Sequence, residues 1–434
     1  MRIGLNHKPA EDFREEIIAA LMTNHPHDCP VCAEGGECHL QDMTVMTGHF
    51  ERHYPGTKRT HQNQYLGPLV QHEMNRCIAC YRCERFYKDY AGGSDLAAQG
   101  SKNEVYFGRQ QDGVLESEFA GNLCEVCPTG IFTDKVFAQH YSRKWDLNST
   151  PSICPHCSVG CNLSYSERYG SVRRAVNRYH SDINGYFICD RGRYGHGFAN
   201  SEKRLSQLHT LGKETDADFS HSKIQHNLLE ARTLPLYGIS HPNASLETHF
   251  AFKQLVDEDK YCPGLTQSEL ELLRQHKGIL KRVSSPSIKD IETADCILVL
   301  NEDLSATAPR IALAVRQAVK NKGRAQAQAL GIPPWQDSAV QLLCRNESTP
   351  LFLVANGANG LDSIATERVC LDSQDVAHFA DKLVTRLNPD TSEPESNGLA
   401  LNQIQKAQLE SLLGHLSEAK RPLIITGWQQ GQVN

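Results

Sequence analysis

The sequence lacks a long hydrophobic run, a hydrophobic start and a surplus of either charge. No stretch approaches the roughly 18 consecutive apolar residues that a membrane helix needs, and the first ten residues lack the apolar core of a signal peptide. The 45 lysines and arginines and the 51 aspartates and glutamates leave a net charge of −6. These absences argue against a membrane-spanning segment, against secretion and against a nucleic-acid partner. We therefore expect a cytoplasmic protein.

Cysteine is scarce in the second half of the chain and concentrated in the first. Twelve of the 16 cysteines lie between Cys29 and Cys189. Many cysteines can indicate a disulfide scaffold, but that reading suits short secreted chains. Without a signal peptide, and with cysteines two or three residues apart, metal or cluster ligation is favoured. The remaining four cysteines, which are expected to be structural, are Cys262, Cys296, Cys344 and Cys370. Cys296 lies in an apolar run and is expected to be buried.

The first cysteine group has the spacing His25-x3-Cys29-x2-Cys32-x5-Cys38. A 4Fe-4S cluster needs one protein ligand at each of its four irons, usually a thiolate. Only three cysteines are present, so a fourth ligand must come from elsewhere, and the candidates are His25 and His27. Tetrahedral zinc is the alternative occupant, because three cysteines and one histidine also suit that metal.

The second group has the spacing Cys77-x2-Cys80-x2-Cys83, and Cys124 and Cys127 follow at a distance. Three cysteines with two-residue gaps open the ferredoxin pattern, whereas zinc sites usually use cysteine pairs. Cys127 is the favoured fourth ligand because a proline follows it, as in the ferredoxin run. Cys124 is then expected to be a free thiol.

The third group has the spacing Cys154-x2-Cys157-x3-Cys161, and Cys189 follows after 27 further residues. It supplies four thiolates within a compact unit of its own, with zinc again as the alternative. Eleven cysteines and one histidine would make twelve ligands, which is four for each of three clusters. The spacing therefore predicts three 4Fe-4S clusters in the first 200 residues and a carrier of single electrons.

The spacing of apolar residues predicts the organisation along the chain. Phe13, Ile17, Ile18 and Leu21 predict an amphipathic helix over 11–22. Residues 25–140 are broken by Gly, Pro and His, which predicts a loop-rich region organised by clusters. A hairpin is expected around Arg168–Gly170.

After about residue 220, short apolar runs alternate with helical patterns, which predicts a doubly wound α/β domain. The expected strands are Leu234–Ile239, Cys296–Leu300, Leu351–Ala355 and Leu423–Thr426. The expected helices include Pro309–Lys320 and Ser373–Leu387, and Pro389–Asn397 is expected to be a surface loop or linker. The last strand is followed by no helix before Asn434, so we expect an incomplete domain and a fragment or truncated product.

No catalytic set is evident in the sequence. The segment Gly357-Ala-Asn-Gly360 lacks a full dinucleotide fingerprint and is expected to be a turn. There is no phosphate-binding loop and no nucleophile elbow. We expect no independent catalytic centre.

Several motifs closely resemble the G subunit of bacterial NADH-quinone oxidoreductase, or respiratory complex I. They are His25-Pro-x-Asp28-Cys29-Pro30-x-Cys32, Cys38-His-Leu-Gln41-Asp42, Arg76-Cys77-Ile-x-Cys80, Asn122-x3-Val126-Cys127-Pro128-Thr-Gly130 and Cys189-Asp-Arg191-Gly192-Arg193. The resemblance covers about residues 10–434, densely to residue 200. It implies that His25, not His27, completes the first cluster and that Cys127 completes the second.

The resemblance also implies a function and a setting. Such a subunit relays electrons from the NADH/flavin subunit through its clusters toward quinone-proximal subunits, and the whole complex couples this to proton translocation. It would lie on the cytoplasmic face of the inner (plasma) membrane, peripheral through the complex. The third cluster is an addition found in some bacterial members, and the α/β part resembles the molybdopterin-oxidoreductase fold without its cofactor.

The resemblance and the spacing together predict α+β iron–sulfur domains followed by an incomplete doubly wound α/β domain. The expected ranges are 1–48 for the first cluster, 49–146 for the second, 147–203 for the third and 204–434 for the α/β part. Family members begin with a 2Fe-2S domain, but no cysteine precedes Cys29 here. We therefore expect neither a 2Fe-2S cluster nor a molybdopterin in this chain.

Three other classes of protein are alternatives to this reading. A molybdopterin enzyme such as formate dehydrogenase would share the third group, but it typically has lysine where this chain has Arg191. An iron hydrogenase would share one histidine and three cysteines, but it would need further cysteines after residue 200. A structural zinc protein is disfavoured by the Cys77 triple.

Overall fold

The computed structural model divides the chain by its internal contacts into two units. One comprises Met1–Gly197 together with Pro286–Asn434, and the other comprises Phe198–Ser285. The four domain ranges expected from the sequence stay a prediction. The structure describes residues 4–204, 209–210, 213–214, 221–231, 233, 235–256, 258–283, 285–388 and 401–427.

The first described helix is Lys8–Met22, which starts three residues before the predicted 11–22. Pro9 lies in its first turn, where a missing N–H has no helical partner to lose. Ile18 and Met22 are buried, whereas Phe13 and Ile17 are exposed. The helix leads into the loop of the first cysteine group, and His39–Met46 follows that loop as a second helix.

Short elements fill the region between this helix and residue 146, as the loop-rich prediction expected. Two antiparallel strand pairs are present, Val70–His72 with Phe132–Asp134 and Ala97–Gln99 with Tyr106–Gly108. The first pair brings the chain before Cys77 alongside the chain after Cys127. The helical turns are Met74–Arg76, Arg82–Glu84, Arg85–Tyr90, Lys102–Glu104, Ala120–Asn122, Leu123–Val126, Lys135–Ala138 and Lys144–Asp146.

A three-stranded antiparallel sheet follows. Its strands are Asn148–Ile153, Asn162–Arg168 and Ser171–Asn177, in that order. The predicted hairpin at Arg168–Gly170 is confirmed, since Tyr169 and Gly170 both have positive φ, as a two-residue turn between twisted strands requires. The third cysteine group lies at the ends of this sheet and at the start of the helix Asp190–Tyr194.

A four-stranded parallel sheet forms the second half of this unit. Its order is Glu367–Cys370, Leu351–Ala355, Cys296–Leu300 and Pro422–Thr426. Ile297 and Val299 pack into a core on one face, and Cys296 and Leu298 pack into a core on the other. Helices pack on both faces, with Ile288–Glu292, Leu304–Thr307 and Pro309–Val319 in the first core and Ser373–Leu387 and Gln403–Glu418 in the second. Two further helices are Asn321–Ala329 and Asp337–Asn346.

The described residues of the unit Phe198–Ser285 form helices and short strands. Its helices are His221–Ala231, Leu246–Leu255 and Gln267–Leu280, and its strands are His209–Thr210, Lys213–Glu214, Gly238–Ile239 and Tyr261–Cys262. The predicted strand Leu234–Ile239 was too long, because among its described residues, 235–239, only Gly238–Ile239 pairs, with two residues of a parallel partner. Leu234 and the predicted linker Pro389–Asn397 lie outside the described residues.

Within the part of the chain that the structure describes, none of the helices combines the length and the apolar character needed to cross a membrane.

Candidate metal centres

The first cysteine group lies in a tight loop between two helices. The backbone N–H groups of Val31 and Cys32 both donate to the carbonyl of Asp28, which folds the chain back between Cys29 and Cys32. Cys38 caps the helix His39–Met46, and its Sγ accepts from the N–H of Gln41 at 3.4 Å. Cys32 and Cys38 are buried, and Cys29 is half-buried.

His25 and His27 have different surroundings. His25 is buried, and its Nδ1 lies 3.1 Å from the carbonyl oxygen of Arg76. A carbonyl only accepts, so Nδ1 carries the hydrogen and Nε2 keeps the lone pair needed by a metal ligand. Burial lowers the pKa of His25 to about 4, which leaves the ring neutral at pH 7. His27 is exposed, and its Nε2 lies 3.2 Å from Nε2 of His49.

Arg76 connects the first group to the second. Its guanidinium forms an ion pair with Asp28 at 2.7 Å, while its backbone carbonyl accepts from His25. The next residue in the chain is Cys77. The loops of the two groups are therefore joined by an ion pair and a hydrogen bond at a single position.

The second group is built by a loop with unusual backbone angles. Ala79 and Tyr81 both have left-handed φ angles, 53° and 60°, which turn the chain between successive cysteines. The N–H of Ala79 donates to Sγ of Cys77 at 3.2 Å. Burial raises the pKa of Cys77 to about 11, and the nearby thiols of Cys127 and Cys80 add to that rise.

Cys127 and Cys124 have different neighbours. Burial raises the pKa of the Cys83 thiol, and Cys127 is the largest contributor among the charges around it. Cys124 is instead surrounded by Asp134, Arg193 and Tyr194, and burial raises its pKa well above the usual value. Of the two candidates, Cys127 lies near Cys77 and Cys83, and Cys80 is the exposed member of the triple.

The third group converges on one cavity. The cavity is lined by all four cysteines and by residues from two distant segments: Cys154, His156, Cys157, Cys161, Ile188, Cys189, Arg191, Gly192, Pro309 and Arg310. The N–H of Cys154 donates to the carbonyl of Cys161 at 2.8 Å, which closes the loop between them. Burial raises the pKa of Cys161 to about 12 and that of Cys189 to about 11.

Two glycines make room beside the thiols. A Cβ on Gly192 would lie 3.4 Å from Sγ of Cys154 and 3.8 Å from Sγ of Cys189. Gly130 has a φ of 74°, and a Cβ there would lie 2.6 Å from Glu34 and 3.4 Å from Sγ of Cys32. Four thiols around one cavity, with a glycine beside two of them, are a donor set that fits an anionic cluster. Iron binding would displace a proton from each of these thiols.

A cavity of about 470 Å³ with several charged residues in its lining adjoins the first two groups. Lys144 lies 2.9 Å from Glu34, and both Lys144 and Arg174 pair with Glu37. Burial raises the pKa of Glu34 to about 7, although the nearby charge of Lys144 acts to lower it. Sequence reasoning missed these residues and Arg310, because nothing in the local spacing says which distant side chains meet a cysteine loop.

Among the described residues, no three His, Cys, Asp or Glu side chains lie close enough to bind a single metal ion.

Each of the three groups falls within a separate known family region. Residues 14–53 match the NADH-ubiquinone oxidoreductase-G iron-sulfur binding region. Residues 67–133 match the ferredoxin-like domain of NADH-quinone oxidoreductase subunit 3, and residues 147–201 match the molybdopterin oxidoreductase Fe4S4 domain. These matches and the cysteine-lined sites define an iron–sulfur protein that binds 4Fe-4S clusters.

Relatives that match nearly the whole length of this chain indicate which kind of iron–sulfur protein it resembles. The chain is 49% identical over 432 residues to the NADH-quinone oxidoreductase G subunit of Pseudomonas fluorescens, covering 99% of this chain and 47% of the relative. It is 48% identical to the G subunit of Shewanella oneidensis and 45% identical to that of Escherichia coli K12, covering 98% and 99% of this chain and 47% and 48% of the relatives. The chain spans about half the length of the relatives it matches. Throughout that span it resembles the G subunit of NADH-quinone oxidoreductase.

The solved structures that match include a NAD+-reducing [NiFe]-hydrogenase in the H2-reduced state. It matches 30% of this chain and 57% of its own, at 22% identity and a TM-score of 0.27.

Proposed function

We propose that this chain relays single electrons within an NADH-quinone oxidoreductase, from the NADH/flavin subunit toward the quinone-proximal cluster subunits. The observation that carries the proposal is that three separate sets of largely buried cysteines coincide with three iron–sulfur family regions. A 4Fe-4S cluster supplies reversible one-electron chemistry. In the whole complex this transfer would be coupled to proton translocation.

The proposed ligands form three sets of four. The first is His25, Cys29, Cys32 and Cys38; the second is Cys77, Cys80, Cys83 and Cys127; the third is Cys154, Cys157, Cys161 and Cys189. The buried position of His25 with Nε2 left unprotonated and the convergence of Cys77, Cys83 and Cys127 support these choices. Cys124 is left out because its neighbours are Asp134, Arg193 and Tyr194.

The protein would exclude water and hold the ligands at fixed positions. Eight of the eleven proposed cysteine ligands are buried, and backbone N–H groups donate to the sulfurs of Cys32, Cys38 and Cys77. Such hydrogen bonds help to set a reduction potential. Within these residues we assign neither a 2Fe-2S cluster nor a molybdopterin.

We further propose that the parallel sheet and its two helix layers are part of a doubly wound domain of molybdopterin-oxidoreductase type. Its parallel strand order and the match at residues 147–201 support this reading. The chain would lie on the cytoplasmic face of the plasma membrane, held there by the other subunits. The alternative of a formate-dehydrogenase-type subunit is not favoured by the relatives.

Metal analysis of the anaerobically purified chain tests the proposal. We expect roughly twelve iron and twelve sulfide per chain, and EPR signals that appear on reduction, for three 4Fe-4S clusters. About three zinc ions with no sulfide would overturn it. Stoichiometric molybdenum or tungsten would instead revive the molybdopterin-enzyme reading.

A further inference from the structure

Arg310 reaches the third cysteine group from a distant part of the sequence. It is the second residue of the helix Pro309–Val319, more than 100 residues after Cys189. It is only 7% exposed, and it lines the same cavity as the four cysteines. One wall of the third site is therefore supplied by the parallel-sheet region.

Only some of the N–H groups of the Arg310 guanidinium form hydrogen bonds within the protein. Nη2 donates to Oε1 of Glu292 at 2.7 Å. In the part of the chain that the structure describes, the buried Nε and Nη1 have no hydrogen-bond partner. A buried donor without an acceptor costs about 1–3 kcal/mol, and more when charged. An anionic acceptor bound in the adjoining cavity would remove that cost.

The start of the helix adds to the positive character of this wall. Pro309 is the first residue of an eleven-residue helix and also lines the cavity. The first turn of a helix carries a partial positive charge. Arg191 lines the cavity as well, and its guanidinium donates to the carbonyl of Ala306, in the short helix just before.

We propose that Arg310 donates its free N–H groups and its charge to the 4Fe-4S cluster held by Cys154, Cys157, Cys161 and Cys189, and thereby raises the midpoint potential of that cluster. Reduction adds one negative charge, so a fixed positive charge and N–H donors stabilise the reduced form more than the oxidised form. Arg310 acts through the cluster and is a tuning residue, not a ligand. The inference rests on the proposed function, because it requires a cluster at this site.

EPR-monitored redox titration of the cluster-loaded chain tests this inference. Arg310→Gln should shift the midpoint of the third cluster to lower potential and leave the other two clusters unchanged. Arg310→Lys keeps the charge but loses the planar fork of donors, so its shift should have the same sign and be smaller. Arg386→Gln is the matched control, because Arg386 pairs with Glu410 on the surface, and it should move no midpoint.

Glu292 provides a second variant with the opposite sign. Glu292→Gln removes the negative charge that offsets Arg310 and keeps a hydrogen-bond acceptor, so the midpoint of the third cluster should rise. This variant keeps the inference testable if Arg310→Gln does not fold. Opposite shifts in the two variants support the inference, and an unmoved midpoint in either folded variant overturns it.

The failure of the inference can be told apart from the failure of the proposed function. Cys161→Ser identifies the signal of the third cluster by removing or altering it while the other two remain. If the unsubstituted chain contains no more iron and sulfide than two clusters require, the proposed function is wrong at this site and the inference falls with it. If the third signal is present but insensitive to Arg310, only the inference is wrong.

Discussion

His25 and His27 are two residues apart, yet only one of them has a ring nitrogen fixed by the protein backbone. The hydrogen bond from Nδ1 of His25 to the carbonyl of Arg76 determines the tautomer, and burial keeps the ring neutral. His27 lies on the surface beside His49. The spacing alone left both histidines open, because the carbonyl that distinguishes them lies 51 residues away.

Substitution of each histidine separates their roles. We expect His25→Ala to lose or convert the first cluster, with lower iron content and a changed EPR spectrum, because one iron loses its protein ligand. His27→Ala should leave both measurements unchanged. The reverse result, with His27→Ala losing iron and His25→Ala keeping it, would contradict the assignment.

His72 gives the protein a dependence on pH. It is buried and stacked on Phe132, and its Nδ1 accepts from the N–H of Gln64 at 3.1 Å, which requires an unprotonated Nδ1. Burial lowers its pKa to about 4. Since the unfolded chain then binds more protons between pH 6.5 and 4, the contribution of His72 to stability falls as the pH falls through this window.

We expect a loss of about 1 kcal/mol between pH 7 and pH 5.5 from His72 alone. In His72→Asn the amide oxygen can replace Nδ1 as the acceptor, so this part of the pH dependence should disappear. Thermal denaturation of both proteins at the two pH values measures the difference. Equal pH dependence in the two proteins would show that His72 does not titrate as described.

At the scale of elements, the sequence predicted the regular parts best. The strands Cys296–Leu300 and Leu351–Ala355 and the helix Ser373–Leu387 have the predicted bounds. The two strands are uninterrupted apolar runs and the helix has apolar residues at helical spacing, and neighbouring polar residues mark the ends. The short turns of the cysteine loops were not predictable in detail, because no local sequence signal marks left-handed φ angles at non-glycine residues such as Ala79 and Tyr81.

The helix Pro309–Val319 packs against two hydrophobic cores. Ala312 and Val315 belong to the sheet core, whereas Leu313 joins the core that contains Cys77 and Cys127. We expect Leu313→Ala to lower the stability of the region around the second cluster by about 2–5 kcal/mol, because it leaves a cavity in a buried site. Val384→Ala, on an exposed position of the helix Ser373–Leu387, is the control and should cost little.

Hydrogen exchange with mass spectrometry measures where the stability is lost. Faster exchange should appear in peptides around residues 77–90 and 119–127 as well as in the helix itself. If exchange increases in the sheet strands alone, Leu313 does not connect the two cores.

At the scale of the molecule, the hydrophobic cores differ in whether they include cysteines proposed as cluster ligands. The cores around residues 18–40, 66–132 and 154–188 each include proposed ligand cysteines. The two sheet cores contain none of them, and their single cysteine is Cys296, buried as predicted. The sequence indicated this division through the distribution of cysteines, but not the contacts of Arg310 or Leu313 that cross it.

Removal of iron should therefore affect the two parts unequally. We expect the chain treated with a strong chelator under reducing conditions to lose its lower-temperature cooperative transition in calorimetry, because cluster binding contributes to folding there. The transition of the sheet region should remain, supported by its apolar cores. Loss of both transitions on iron removal would contradict this division.

The hydrogen bond between His25 and Arg76 has a consequence for mutational tolerance. The acceptor is a main-chain carbonyl, which every amino acid supplies, so no substitution at position 76 can delete it. Substitution there can only weaken the ion pair with Asp28 that helps to hold the two loops together. The orientation of the ring is thus encoded by the path of the backbone, and it can outlast sequence drift at the position that provides it.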